Sequence, residues 1–198
     1  MIIYLTQMII YLFFTHIVCY WSTVLFYTYK FNQWAEESWF LVINVLLNQF
    51  LITPMYVPLF LNYPEPLPPI HIIWQLPAIV VLTDFIFYVC HRVFHYNKTL
   101  YVHIHEQHHE YDPPIAPAAL YSHPIEHLCI NLSSTIFPMF IVRASLPVAL
   151  FWTTIASINV VVAHSGIHGG AHTGHHKYMT KDYGVGLMIF DRISGTYR

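Results

Sequence analysis

The sequence predicts an all-α integral membrane bundle of about four spans, capped on one side by histidine-rich helices. Of its 198 residues, 56% are hydrophobic and only 9% charged, where soluble domains carry about 25% charged residues. Apolar runs of roughly the twenty residues needed to cross a bilayer recur between polar breaks. Fifteen histidines are present, and most are spaced three or four apart near the ends of those runs. In lipid every backbone N–H and C=O must be satisfied internally, so long apolar runs of this kind are helices.

Met1 to about Tyr29 contains no Lys, Arg, Asp or Glu. It lacks the basic start and short apolar core of a cleaved signal, so a retained span is expected. Lys30 to Ser38, with Glu36 and Glu37, is a polar break. Trp39 to about Leu61 is the second span, which Pro54 and Pro58 are expected to kink. Asn62 to Pro69 is a proline-rich turn. Ile70 to about Cys90 is the third span and runs directly into His91. Arg92 to Pro117 is polar and rich in histidine. Ala118 to Val142 is the weakest apolar pass, a span or a re-entrant segment. Val148 to Ala163 is the last span, and Ser165 to Arg198 is a polar tail containing glycines.

The histidines follow one grammar twice. His91 and His95 are four apart, and His105, His108 and His109 stand at i, i+3 and i+4. His164 and His168 are again four apart, and His172, His175 and His176 repeat the triplet. Residues three and four apart share a helical face. The ten residues are therefore expected to hold a pair of metal ions at the membrane edge. Two apolar passes separate His109 from His164, which returns the chain to the same side. That parity puts Lys30, Arg92, Lys98, Lys177, Lys181, Arg192 and Arg198 on the histidine side and only Arg143 opposite. The positive-inside rule then makes the histidine face cytosolic.

Neutral imidazole suits iron, zinc, copper and nickel. Structural zinc usually recruits cysteine, but Cys19, Cys90 and Cys129 are scattered in apolar stretches without a CxxC. They read as small buried hydrophobes. Glu106 and Glu110 do not give the Glu-x-x-His pattern of carboxylate-bridged bundles in both halves, so an all-histidine shell is expected. Neutral ligands leave the metal charge uncompensated, which suits activation of dioxygen against an unreactive C–H bond. Three further residues are expected to orient the metal-bound rings. Asp84 lies two helical turns before His91, and an intramembrane carboxylate is usually functional. Glu126 stands between His123 and His127, with His123 either behind the ligands or in direct contact with the metal. His103, His16 and His71 fall outside the motifs. With eight Lys and Arg and no basic patch, nucleic acid is excluded as a partner. A histidine-rich metal transporter or metal-binding protein is the alternative. Transport sites, however, sit near the bilayer midplane on broken helices in repeated halves, and neither feature is visible here.

The motif set resembles the fatty acid hydroxylase / sterol desaturase superfamily of membrane di-iron enzymes. The likeness rests on DFIFYVCHRVFH (84–95), HEQHHEYDPPIAPAALYSHPIEH (105–127), AHSGIH, GGAHTGHH and the closing DRISGTYR. The HHEY…PIA…YxHPxE block is similar to the sterol 4-methyl oxidase branch, and the tail to that branch and to sterol 5-desaturases. The resemblance implies a division into N-terminal membrane helices and proline-rich turn (1–69) and a catalytic domain (70–198). It further implies two iron ions, dioxygen, and electrons from NAD(P)H through a reductase and a cytochrome b5-type donor. The expected reaction is hydroxylation or desaturation of a sterol or fatty acyl lipid in the endoplasmic reticulum membrane, or the inner membrane of a bacterium.

Overall fold

A computed structural model describes residues 2–34, 38–168 and 170–198, and all of its regular structure is helical. The expected polar break at Glu36 and Glu37 lies outside the described residues. Helix α1 (Ile2–Phe31) is apolar all round. Leu5, Met8, Leu12, Tyr20, Val24 and Tyr27 form its buried stripe, spaced by threes and fours as one helix face requires. That stripe packs on α8 (Leu146–His164), while Phe14, Val18 and Leu25 remain on the outer surface.

Helix α2 (Ser38–Leu47) does not end at the prolines but changes winding. A π turn (Asn48–Ile52) and a 3-10 turn (Thr53–Tyr56) lead into α3 (Val57–Phe60). Pro54 and Pro58 carry no N–H, so a regular i→i−4 ladder cannot continue through them. The distortion turns Asn48 and Gln49 inward, where both are fully buried. Helix α4 (Ile72–Tyr96) runs beyond the expected membrane end and carries His91 and His95 on its last turns.

Asn97 starts α5 (Lys98–Leu100) by accepting from the N–H groups of Thr99 and Leu100. A π turn (Tyr101–His105) and 3-10 turns at Glu106–Glu110 and Ala116–Leu120 follow. Ala116, Ala118 and Ala119 are small enough to lie buried against α1, α2 and α8. Helix α6 (Pro124–Glu126), a π turn (His127–Leu132) and α7 (Ser133–Ile141) then return along α4. The hydroxyls of Ser133, Ser134 and Thr135 donate to carbonyls four residues back, a pattern that loosens helices. After α8, the tail holds α9 (Ala171–Tyr178) and α10 (Ile189–Ser194).

Four helical stretches are long and apolar enough to cross a membrane: 3–31, 39–60, 69–96 and 146–164. The pass expected at 118–142 is not among them: its helix begins only at Pro124, is irregular, and carries Glu126, His127 and Asn131. It nonetheless carries the chain back across, since Tyr63 Oη donates to the carbonyls of Met139 and Ala144 at the far end of the hairpin.

Candidate metal centre

The C-terminal ends of α4 and α8 meet, and nine of the ten motif histidines converge between them. His91, His95, His105, His109 and His175 form one nest, and His108, His164, His172 and His176 form another. Each triplet is split. Its i and i+4 members enter one nest, and its middle member, His108 or His175, crosses into the other. The nests adjoin, with the rings of His109 and His176 4.7 Å apart and those of His108 and His109 5.5 Å apart.

Backbone carbonyls fix the ring tautomers. Nδ1 of His91 donates to Tyr183, that of His175 to Lys181, and that of His164 to Val160, each at 2.7 Å. A neutral imidazole that donates at Nδ1 presents a bare lone pair at Nε2. Those three Nε2 atoms and the Nε2 atoms of the neighbouring rings face one another: His91–His105 at 3.0 Å, His175–His95 at 3.0 Å, His109–His95 at 3.1 Å, and His172–His164 at 2.8 Å. Crowded lone pairs repel unless a cation sits among them. Nitrogens about 2.1 Å from one ion and at right angles would lie about 3.0 Å apart, while tetrahedral ligands would spread to about 3.4 Å. The spacing of the five-membered nest therefore fits a metal with more than four ligands, and the donor set suits a borderline transition ion.

Burial holds the rings neutral. It pushes His105 and His175 down to about 3 and depresses His109, His172 and His176 as well. Burial also lowers His108, and the nearby Glu126 carboxylate partly offsets this. The unfolded chain binds protons on these rings near 6.5, whereas folded His105 and His175 do so only near 3. The unfolded state thus holds more protons between those values, and stability falls as pH drops through the window. Metal-stripped protein in detergent should melt at progressively lower temperature below about pH 6.5. A midpoint unchanged down to about pH 4 would contradict this.

Glu126 is buried, with Oε2 2.9 Å from His105 Nδ1 in a bent approach and Oε1 3.9 Å from His108 Nδ1. One carboxylate thus stands behind one ring of each nest. Groups in this position hold ligand orientation and basicity. Glu126→Gln should cost about 10–100-fold in metal affinity, read by competition with a chelator; an unchanged affinity would remove Glu126 from this role.

Three expected site residues lie elsewhere. His168 joins neither nest: α8 stops at His164, the chain turns through Gly166 at φ +67°, and the four-residue spacing no longer lies on one face. His168 Nε2 instead contacts the Tyr27 hydroxyl at 2.9 Å. His123 precedes Pro124, which forces it into extended backbone, so it does not share a helix with His127. Its Nδ1 accepts from Ile125 N–H and starts α6. Among the described residues, Asp84 hydrogen-bonds to no histidine. Its carboxylate accepts from the N–H groups of Val185, Ile189 and Phe190 and so pins the tail to α4.

Sequence reasoning includes Asp191 within the closing DRISGTYR but gives it no role. It is fully buried and accepts from the N–H groups of Tyr183 and Gly184 and from the Thr196 hydroxyl. It thereby fixes the Tyr183 carbonyl that His91 uses. Besides that motif, the signal in the sequence is a lone acid after an apolar stretch, Met188-Ile-Phe-Asp191.

A family model described as fatty acid hydroxylase matches residues 76–196. The chain belongs to the fatty acid hydroxylase family. The family match spans every histidine of both nests together with Asp84, Glu126 and Asp191. Among fatty acid hydroxylase relatives, the human "Fatty acid hydroxylase domain-containing protein 2" is 32% identical over 168 residues, which is 77% of this chain and 50% of that protein. A Delta(7)-sterol 5(6)-desaturase of Aspergillus fumigatus is 31% identical over 167 residues, 79% of this chain and 47% of that protein. Sphinganine C4-monooxygenase 1 of Arabidopsis thaliana is 30% identical over 139 residues, 62% of this chain and 54% of that protein. The chain spans about half the length of these curated relatives. No solved structure matches it.

Proposed function

We propose that this chain is a membrane-bound non-haem iron enzyme that hydroxylates or desaturates a C–H bond of a sterol or fatty acyl lipid. The observation that carries the proposal is the convergence of nine imidazoles, their Nε2 atoms facing inward, into two adjoining nests. Two iron ions held there would supply activation of dioxygen and removal of hydrogen from carbon. His91, His95, His105, His109 and His175 would hold one ion, and His108, His164, His172 and His176 the other. Relatives named as a sterol desaturase and a sphinganine monooxygenase support a lipid substrate.

The chain's own residues provide a place for that lipid. A cavity of about 610 Å³ lies between α1, α3, α7 and α8 and is lined mainly by apolar side chains. Its size falls within the usual range for small-molecule sites. One end reaches the nests. Phe87 lines the cavity and meets the His91 ring edge-on at 5.2 Å, and Val160 lines it while its carbonyl holds His164. Apolar walls there would keep water from the reacting carbon. The electrons would come from a cytochrome b5-type donor and its reductase on the histidine side, which the positive-inside rule makes cytosolic. The endoplasmic reticulum membrane is the proposed location.

Metal analysis of purified chain tests the reading. Two irons per chain are expected, and His168→Ala should retain both because His168 lies outside the nests. Iron-free protein, or zinc alone in preparations that still oxidise lipid, would refute it.

A further inference from the structure

Within the membrane-spanning region, a chain of hydrogen bonds with a fixed direction ends in the cavity. Trp21 Nε1–H donates to Gln49 Oε1 at 2.9 Å. An indole nitrogen can only donate, so the Gln49 amide is oriented with its NH2 toward His16. That NH2 lies 3.1 Å from His16 Nε2, which must therefore accept. His16 Nδ1 then carries the proton and donates to Ser157 Oγ at 2.9 Å. Ser157 is buried and lines the cavity. Other hydroxyls on these helices, such as Thr154, donate to a carbonyl four residues back. Among the described residues, the Ser157 O–H has no such acceptor and is left as a free donor.

A second set of groups leads to the same cavity. Thr53 Oγ1 donates to the Asn48 carbonyl at 3.2 Å and lies 3.2 Å from His127 Nε2. With its proton given to Asn48, Thr53 accepts from His127 Nε2–H, and His127 Nδ1 becomes a bare acceptor. His127 is 1% exposed, and its Nδ1 has no partner. Asn131, one turn on, also lines the cavity, and its Nδ2 is buried without a partner. Gln49 and Thr53 lie on the same distorted stretch between α2 and α3, which ties the two sets together. Buried polar groups are ordinarily paired, yet here donors at Ser157 and Asn131 and an acceptor at His127 are left open in an apolar chamber.

We infer that Ser157, His127 and Asn131 form a subsite for a hydroxyl group on an otherwise apolar lipid, since a hydroxyl both donates and accepts. The inference rests on the proposed lipid-oxidising role, and it adds a ruler to it. Ser157 and His164 lie two turns apart on α8, which is about 10 Å along the helix. An anchored hydroxyl would thus select a carbon about 10 Å away for reaction.

The test uses full-length protein in detergent and two matched probe pairs: cholesterol against its 3-deoxy analogue, and hexadecan-1-ol against hexadecane. Binding is followed by tryptophan fluorescence and requires no turnover, so it stands or falls separately from the iron chemistry. The hydroxylated member of one pair should bind about tenfold more tightly than its partner, and which pair responds separates a sterol from a straight-chain alcohol. Ser157→Ala and His127→Phe should each bring that ratio to within about twofold of one while leaving the deoxy probe's affinity unchanged. No preference in either pair, as for a subsite that holds only water, would overturn the inference. So would a preference that survives both substitutions.

Discussion

His108→Ala and His175→Ala should each reduce lipid oxidation to background while the protein still inserts and folds. Each residue is the middle member of its triplet, and each serves the nest built mainly by the other half of the chain. Removing His108 leaves three imidazoles in its nest, and removing His175 leaves four in the other. His108→Ala should therefore lose its metal more completely. A metal centre contributes several kcal/mol to the transition state, so turnover should fall by about a thousandfold or more. Lipid mass spectrometry of membranes expressing each variant measures product, and metal analysis of the same protein measures occupancy. Normal product from either variant would leave the crossed arrangement without functional meaning.

The second large effect is expected at the tail. Asp84→Ala removes the acceptor for three backbone N–H groups, those of Val185, Ile189 and Phe190. A buried donor left unmade costs about 1–3 kcal/mol, and these three are only part-buried, so a loss toward the low end, about 3–5 kcal/mol in all, is expected. Gly184→Ala attacks the same joint. A Cβ there would stand 2.7 Å from Asp191 Oδ2 and 2.9 Å from Asp84 Oδ1, wedging apart the two carboxylates that hold the tail. Both variants should melt earlier in detergent and be cut by protease near Tyr183. The Tyr183 carbonyl orients His91, so both should also hold metal less well. Melting at the wild-type temperature by either would show that the tail is held some other way.

Much of this molecule was legible in its residues because period and composition act locally. The apolar runs give four spanning helices, and the paired spacing of histidines marks nine of the ten predicted to gather. Pro54 and Pro58 announce a distortion because a missing N–H breaks a helix wherever it falls. His168 lies apart from both nests for the converse reason. A four-residue spacing specifies one face only while the helix lasts, and α8 ends at His164.

The sequence by itself determined that the chain is a helical membrane protein carrying imidazole sets at the ends of its spans. Only the tertiary structure decided how those sets combine. The crossing of His108 and His175 between nests, and the carbonyls of Tyr183, Lys181 and Val160 that set the tautomers, depend on where distant backbone comes to rest. Every residue has a carbonyl, so no residue type marks which ones will meet a ring. The same holds for Asp84, whose three partners lie about a hundred residues away in the chain. It holds too for the open polar groups of Ser157 and His127, which become neighbours of one cavity only when four helices pack.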